Sequence, residues 1–333
     1  MDIIKIIEEA EDFPTLPNIT FQLNQLMSKE DVSLHSVAKL IETDSSMVTR
    51  ILKNVNSGYY KLNSPISNIY QAVSILGIRT MRDITLMVSF NKLFPQQELL
   101  PYSSLFYRSL CAGIACNFLS DITKIKNRSE AFIASLLQNL GAFVFMFYLG
   151  KDYLKIIEEA KEYGVKLALV EKNKLKITQA QAGSIIAEKW KLPQEIVLAI
   201  RYQNNLKLSF KKNFGPDFNA IVKQSYLGGI VADIFLGWNK AVKIAQFKRE
   251  YGRLFHQYKS VPEAEDILHS IPHLVMGQVE SMNQSMEPLL PFEQIKGNAD
   301  FELELLLSKH NKLFSDFKNS ESRLQTMEFA QNN

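Results

Sequence analysis

The chain has 333 residues, of which 46% are hydrophobic and 22% are charged. A chain of this length and composition is expected to form one or two globular domains with a substantial core. Its 38 Lys and Arg residues nearly balance 35 Asp and Glu residues, and a net charge of +3 gives no reason to expect nucleic acid or a membrane surface as a partner.

The amino terminus and the cysteines predict a cytoplasmic protein. The segment MDIIKIIEEAEDF carries acidic residues where a signal peptide needs an uninterrupted apolar stretch. No apolar run is expected to reach the roughly 18 residues of a membrane span. Cys111 and Cys116 would point roughly 140° apart on a helix, which favours two free buried thiols over a disulfide or a metal pair.

Short helices are expected to fill the first hundred residues. An amphipathic segment over residues 2–13 is followed by a proline-containing break and a second helix, and Ser33 and Asp44 are each placed to cap the next two. Ser67 is expected to cap a helix that ends at Gly77, and another helix should run from about Thr80 to Leu93. The buried stripe of the second helix comprises Ile19, Leu23, Leu26 and Met27.

The middle of the chain contains its most apolar stretch. A break over residues 95–101 precedes a helix from Leu105 to Leu119, and a polar turn over residues 121–129 then leads into Ala131–Tyr148. Apolar residues recur there every three or four positions, which predicts the central helix of an all-α core. Gly141 has no side chain, so another backbone can approach closely at that point.

Further helices are expected in the rest of the body, over residues 152–163, 179–190, 194–202, 216–238 and 241–258. Pro262 and Pro272 each have the character of a first helical residue. His269 and His273 have a zinc-like spacing, but a helix restart at Pro272 would separate their side chains. A solvated surface pair is therefore the preferred interpretation.

Prolines and a glycine mark residues 288–300 as a linker, beyond which the spacing changes. Apolar residues then alternate at three and four positions, the pattern of a coiled coil with polar interruptions at His310 and Ser320. The positions are Leu303, Leu306, His310, Leu313, Phe317, Ser320, Leu324 and Met327. Polar seam residues lower stability, so a weak homodimer through residues 301–327 is predicted.

An ordered series of short motifs between about Phe13 and Asn205 resembles the HDOD family, the HD-related output domain of bacterial signalling proteins. The residues that carry it are Leu16-Pro17, Asp44, Asn56-Ser57-Gly58-Tyr59, Pro65-Ile66-Ser67-Asn68-Ile69, Gln71-Ala72-Val73, Leu76-Gly77, Ala131-Phe132, Leu136-Leu137, Gly141, Gly183 and Trp190-Lys191-Leu192-Pro193. Asn56, Ser57 and Ser67 stand at helix ends. They are most simply explained as partners for backbone groups there, in preference to ligand contacts.

The resemblance implies an all-α bundle of two packed helical lobes, residues 1–100 and 101–287, with the linker 288–300 and a coiled-coil-like tail over 301–333. It also implies no established catalytic activity. The expected role is in two-component or cyclic di-GMP signalling, with signalling proteins as partners.

The same resemblance places a vacated metal site in the second lobe. HD phosphohydrolases carry a Leu-Leu-His-Asp-(Ile/Leu)-Gly run whose His and Asp bind a catalytic metal, and the corresponding residues here are amides. The aligned ligand positions are Arg108, Gln138, Asn139, Gln179, Gln203 and Asn204. None is His, Asp or Glu, and an amide supplies neither a negative charge nor an imidazole lone pair. No metal, cofactor or catalysis is therefore expected.

Two alternatives stay open beside the favoured interpretation, a non-catalytic signal-transduction module that acts through protein–protein interaction. The amides at the vacated site are suited either to a nucleotide base of the cyclic di-GMP pathway or to a self-satisfied hydrogen-bond network. Residues 34–55 also resemble a DNA-binding helix-turn-helix, although Glu42 and Asp44 in its turn would repel phosphates. Its recognition face would comprise Ser45, Ser46, Thr49, Arg50, Lys53 and Asn54.

Overall fold

The computed structural model of the protein describes residues 3–9, 13–14, 18–27, 31–57, 60, 62–93, 100–204, 206, 214–255, 261–282, 286–304 and 308. The regular secondary structure of these residues is helical throughout, without a strand. The predicted all-α fold class is confirmed.

The part of the chain described before residue 94 forms five helices: α1 (Ile3–Glu9), α2 (Asn18–Met27), α3 (Leu34–Ile41), α4 (Ser45–Val55) and α5 (Ile69–Leu93). Apolar side chains of α2 to α5 form a small core of their own, which includes Leu23, Ile41, Ile51 and Val73. Helix α1 packs instead into the larger core of the remaining helices, through Ile3 and Ile7.

The described residues after 99 form ten further helices, and residues 292–304 are helical as well. The ten helices are α6 (Leu100–Thr123), α7 (Arg128–Leu136), α8 (Leu140–Leu149), α9 (Lys151–Glu162), α10 (Leu167–Leu175), α11 (Gln179–Lys189), α12 (Gln194–Tyr202), α13 (Pro216–Leu236), α14 (Lys240–Phe255) and α15 (Ala264–Ser281). Their apolar faces share one large core.

The helix caps expected near the amino terminus are confirmed at two of three positions. Ser33 accepts a hydrogen bond from the Ser36 amide at 3.1 Å, and Asp44 accepts one from the Met47 amide at 2.9 Å. The third expectation, Ser67, is wrong. Asn68 is the residue immediately before Ile69, so its side chain is the one in reach of the Gln71 amide, at 2.8 Å.

Gly77 interrupts α5, as the sequence predicts. Its φ of 80° and ψ of 159° are not helical, and the left-handed side of φ favours glycine at this position. The second half of α5 then contributes to both cores, with Met81 and Ile84 in the small one and Phe90 in the large one. This half-helix therefore joins the two cores.

The expected central helix over residues 131–148 is in fact two helices, because residues 137–139 form a turn between α7 and α8. The expectation that no segment approaches a membrane span also needs correction. Arg128–Leu149 is long and apolar enough to pass that test, with a hydropathy of 1.7, but 83% of the window is buried inside the fold. Its apolar character is accounted for by burial in the protein core.

Two helix boundaries expected from proline positions are wrong, and one helix was missed because its periodicity is weak. Helix α6 begins at Leu100 because proline is tolerated in a first turn, and α15 continues through Pro272. Helix α10 was not expected at all, since it buries only Val170 and Glu171 and has almost no amphipathic pattern.

The segment 288–300 was expected to be a linker, yet residues 292–304 are helical. Phe292, Ile295 and Ala299 repeat at three and four positions and are buried in the large core. The helical segment is therefore part of the body. The predicted coiled coil of residues 301–327 falls outside the described residues, apart from 301–304 and 308.

Candidate functional site

The turn between α7 and α8 carries Gln138 and Asn139, the two residues that the sequence resemblance predicted at the His and Asp positions of HD enzymes. Gln138 and Asn139 are both buried, at 6% and 4% exposure. The Asn139 amide donates to the Ser109 hydroxyl of α6 at 3.1 Å, and the Gln203 side chain donates to the Gln138 carbonyl at 2.7 Å. We call Gln138, Asn139, Gln203 and Ser109 the amide site.

A close crossing of α8 and α11 holds the amide site in place. A Cβ atom added to Gly141 would lie 1.8 Å from the Gln179 carbonyl oxygen, and one added to Gly183 would lie 2.9 Å from the Gly141 amide nitrogen. The two backbones therefore touch, as the sequence predicts for Gly141. Gly229 of α13 plays a similar part, since its added Cβ would lie 2.4 Å from the Gln138 side-chain oxygen.

The remaining candidate positions are distributed around this cluster and do not all enter it. Gln179 meets the cluster through its backbone, at Gly141, and its amide nitrogen donates to Glu171 at 2.9 Å. Asn204 is exposed. The structure thus brings Gln138, Asn139 and Gln203 together and leaves Asn204 on the surface.

Arg108 is held by an acid that the sequence reasoning missed. Its guanidinium pairs with Asp233 of α13, which also pairs with Lys243 at 2.6 Å, and it lies 5.9 Å from the ring centre of Trp238. Asp233 is 14% exposed at its side chain and one helical turn beyond Gly229. Residues four apart on a helix lie on the same face, so the spacing from Gly229 to Asp233 is a sequence signal that could have placed Asp233 beside the amide site.

A buried acid also lies behind the crossing. Glu171 of α10 is fully buried, accepts from the Tyr153 hydroxyl at 2.8 Å and caps the first amide of α11 at Gln179. Burial raises the pKa of Glu171 to about 7, against the opposing effects of these hydrogen bonds and of Arg108. The same burial raises the pKa of Tyr153 well above its usual range. Both carboxylate oxygens of Glu171 accept a hydrogen bond within the protein, so its role is explained by structure: it connects Tyr153 of α9 to the first amide of α11.

The residues of the amide site do not fit a hydrolytic metal. Amide oxygens are neutral, and the nearby carboxylate of Asp233 is already paired with two cations, Arg108 and Lys243. Among the described residues, no group of three or more His, Cys, Asp and Glu side chains is arranged to hold a metal ion. His269 and His273 do share α15, contrary to expectation, but His269 lies 3.1 Å from Glu293 and His273 is exposed.

The thiols of Cys111 and Cys116 are free and buried, as expected. Burial raises the pKa of each thiol to about 12. Neither is a reactive nucleophile at neutral pH, because the thiolate is the reactive form.

The would-be DNA-recognition helix is partly covered by another helix. Asn54 of α4 is fully buried and donates to Ser281 of α15 at 2.7 Å, so it cannot reach a base edge. Arg50 and Lys53 remain exposed. A recognition helix that enters the major groove needs a free face, and this one shares part of its polar face with α15.

Two motif residues, Asn56 at the end of α4 and Gln71 in α5, have backbone partners. Asn56 forms two hydrogen bonds with Ile66, donating to its carbonyl at 2.8 Å and accepting from its amide at 2.6 Å. Gln71 accepts from the Ser67 amide at 3.1 Å. These contacts are the structural role that the sequence suggested for Asn56. The Ser57 hydroxyl is buried without a hydrogen-bond partner.

Comparison with known proteins gives a family and a fold. A family model described as the HDOD domain matches residues 13–206. An uncharacterised protein of Treponema pallidum is 25% identical over 202 residues, which cover 60% of this chain and 39% of that protein. The chain thus spans well under half the length of this curated relative.

Two solved structures share the fold at low sequence identity. One, from Shewanella amazonensis SB2B, is named as a candidate phosphohydrolase and has 18% identity and a TM-score of 0.64, with 84% of this chain and 98% of that chain covered. The other, from Marinobacter aquaeolei VT8, is named as a candidate signal transduction protein and has 16% identity and a TM-score of 0.63, with 85% and 62% covered.

Proposed function

The chain belongs to the HDOD domain family, and from this premise we propose that it is a non-catalytic signal-transduction module that acts through protein–protein interaction. The partners are signalling proteins of a two-component or cyclic di-GMP pathway, and the compartment is the cytoplasm. The two lobes expected from the sequence, residues 1–100 and 101–287, form the working unit together with the helical segment 292–304, which is buried against the large core.

The chemistry of the amide site carries the proposal. The side chains of Asn139 and Gln203 donate hydrogen bonds to groups of the protein itself, and the neighbouring cation, Arg108, is paired with Asp233. Donors that are already used within the protein offer little to a substrate, because a ligand would have to replace each hydrogen bond that it breaks. The same observation favours the closed network over a nucleotide pocket at this place.

The alternative to be tested is phosphohydrolase activity, the class named for the Shewanella structure. We expect elemental analysis of the purified protein to find far less than one Fe, Mn or Zn per chain. We also expect no hydrolysis of p-nitrophenyl phosphate or of cyclic dinucleotides above background, since the ligand positions carry no His, Asp or Glu.

The double variant Gln138→Ala/Asn139→Ala is the control for contaminating activity, and Arg50→Ala serves as a variant far from the site. Activity that persists unchanged in the double variant belongs to a contaminant. About one metal per chain, with activity that the double variant loses and Arg50→Ala keeps, would show an enzyme and refute the proposal.

The tail supplies the proposed means of transmission. Phe301 and Leu303 at its start are 67% and 45% exposed, so they are available to a second copy of the chain. A weak homodimer suits a switch, because a small free-energy input from a partner then shifts the population. We expect sedimentation to show concentration-dependent dimers that Leu306→Lys/Leu313→Lys abolishes.

The double substitution should leave the helical body folded, with an unchanged far-ultraviolet circular dichroism signal and unfolding midpoint. Lys309→Leu/Lys312→Leu, off the predicted seam, is the matched control and should not weaken the dimer. A protein that stays monomeric at high concentration, or one whose dimer survives the two seam lysines, would remove the tail from the proposal.

A further inference from the structure

A cavity of about 320 Å³ lies between the second half of α5, the end of α6 and the start of α7. We call it the α5–α7 cavity. It is lined by Arg79, Thr80, Asp83, Ser120, Asp121, Lys124, Ile125, Arg128 and Ser129. Eight of these nine residues are polar, and the motif comparison assigned no function to any of them. The volume is at the lower end of the range for small-molecule sites.

Asp83 gives the cavity an unsatisfied acceptor. The residue is 8% exposed, and its Oδ1 atom is buried without a hydrogen-bond partner. The nearest cation on its own helix, Arg82, has its Nε 4.0 Å from this oxygen, which is too far for a hydrogen bond. Buried polar atoms in folded proteins nearly always have a partner. Asp83 is also one of the residues that line the cavity, so a group bound there could supply the missing donor.

The charges around the cavity favour an anion. Arg79, Lys124 and Arg128 supply three positive charges, against the two acids Asp83 and Asp121, and Asp121 contacts Arg128 at 2.5 Å. Arg79 makes a 3.4 Å contact with the Lys126 carbonyl, and both Arg79 and Lys124 are exposed. Neither of these two cations is held by a carboxylate of the cavity lining, so both are left for a ligand. A phosphomonoester carries about −1.5 to −2 charges at neutral pH.

The amino end of α7 adds to this preference. Arg128 and Ser129 are its first two residues and line the cavity, and the Asn127 side chain makes no capping hydrogen bond. An uncapped helix start exposes backbone N–H donors and the positive end of the helix dipole. Phosphate groups bind readily to such ends, and arginine side chains favour phosphate in the same way.

We propose that the α5–α7 cavity binds a small phosphomonoester of about mononucleotide size, at two points. The phosphate lies between Arg79, Lys124 and the amino end of α7, and an N–H or O–H donor at the other end of the ligand bonds to Asp83. A base or a sugar supplies such a donor, whereas inorganic phosphate has neither and fills only a small part of a cavity of about 320 Å³. This inference holds whether or not the chain has the signalling role proposed above.

The site also bridges the two lobes. Arg79 and Asp83 belong to the half of α5 that lies between the two cores, while Lys124 and Arg128 belong to the larger lobe. Arg82 and Glu130 link the same two helices beside the cavity, at 3.3 Å. A ligand that contacts both sides stabilises one arrangement of the lobes, which is the requirement for an input site.

The test is calorimetric titration of the full chain with AMP, GMP, UMP, ribose 5-phosphate, adenosine and inorganic phosphate, at one fixed salt concentration. We expect at least one phosphomonoester to bind at least tenfold more tightly than both adenosine and inorganic phosphate. Arg79→Glu should weaken that binding at least tenfold, since a charge-assisted hydrogen bond to phosphate is replaced by repulsion. Asp83→Leu should weaken it as well and bring it close to that of inorganic phosphate.

Arg50→Glu, an exposed arginine on α4, is the matched control and should leave the affinity within about twofold. Asp83→Asn keeps one acceptor oxygen and should bind more tightly than Asp83→Leu, which separates loss of the acceptor from a folding defect. Binding by none of the phosphomonoesters, equal affinity for inorganic phosphate, or unchanged affinity in Arg79→Glu would each overturn the proposal. Phosphomonoester binding together with a negative hydrolase assay would support a binding site without catalysis. A failed binding test would overturn only the cavity proposal and would leave the proposed signalling role to its own tests.

Discussion

The amide site and the α5–α7 cavity are both polar regions where helices meet, but they differ in whether their buried polar atoms have hydrogen-bond partners. At the amide site, Asn139 and Gln203 each reach a partner within 3.1 Å. In the cavity, Asp83 has a buried oxygen with none. Chemistry at the amide site was expected only from a motif resemblance, whereas in the cavity an unsatisfied group remains. Only the second has an unmet requirement that a ligand can fill.

Close backbone packing produces this difference. Gly141 and Gly183 let α8 and α11 touch, and Gly229 leaves room for Gln138, so little space remains around the amides. The cavity instead lies where α6 ends and α7 begins, and its lining comes from helix ends as well as helix sides. Helix ends carry unpaired backbone groups and charged residues, which pack less closely than apolar helix faces.

The largest expected effect breaks the close packing. Gly141→Ala places a Cβ atom 1.8 Å from the Gln179 carbonyl oxygen, so α8 must move away from α11. We expect a loss of roughly 3 kcal/mol or more in the free energy of unfolding, typical of overpacking against backbone. Urea denaturation followed by circular dichroism measures it.

Gly252→Ala is the matched control, because this glycine is inside α14 and a Cβ atom there would meet nothing within 4 Å. The unfolding free energy should rise by about 0.5–1 kcal/mol, since alanine favours the helix. Equal behaviour of the two variants would show that the α8–α11 crossing is not tight and would weaken the contrast between the two regions.

The next effect is specific to the cavity and depends on pH. Burial raises the pKa of Asp83 to about 7, and it outweighs the opposing effects of Arg82 and Arg128 and a hydrogen bond from Ser129, while Glu130 adds to the rise. Between about pH 4 and pH 7 the folded state therefore holds a proton that the unfolded state has lost. The unfolding free energy must then fall as pH rises through this range.

Asp83→Asn removes that titration. We expect the variant and the parent to be nearly equally stable at pH 5 and the variant to be more stable at pH 8, by on the order of 1–3 kcal/mol. Denaturation at both pH values checks it, and a smaller slope should remain because the pKa of Glu171 is also raised to about 7. A variant that loses stability at pH 8 would show that Asp83 is ionised and satisfied in the folded protein.

The sequence predicted the local features well where one residue decides the outcome. Ser33 and Asp44 cap their helices, Gly77 interrupts α5, and Gly141 permits a backbone contact, because each depends on a property of a single side chain or of its absence. Ser67 failed by one position, since the cap is set by the first helical residue and not by residue type alone.

Features that depend on distant residues were beyond the sequence. Asp233 is 125 positions from Arg108, and the α5–α7 cavity combines residues from 79 to 129 whose spacing follows no motif. Phe292, Ile295 and Ala299 were hidden by the flanking prolines of a supposed linker. In each case the deciding factor is which helices pack together, and periodicity in one segment does not determine that.

The smallest expected effect compares two neighbours at the amide site, Gln203 and Asn204. Gln203 is 5% exposed and donates to the Gln138 carbonyl at 2.7 Å, whereas Asn204 is exposed. Gln203→Met keeps the length of the side chain and leaves that carbonyl without this donor, so about 1–2 kcal/mol of unfolding free energy should be lost. Asn204→Ala should change it by less than about 0.5 kcal/mol. Both variants should bind a phosphomonoester as the parent does, because neither lines the α5–α7 cavity. If Gln203→Met instead abolished nucleotide binding while the protein stayed folded, the ligand would belong to the amide site, and the assignment of roles to the two regions would have to be reversed.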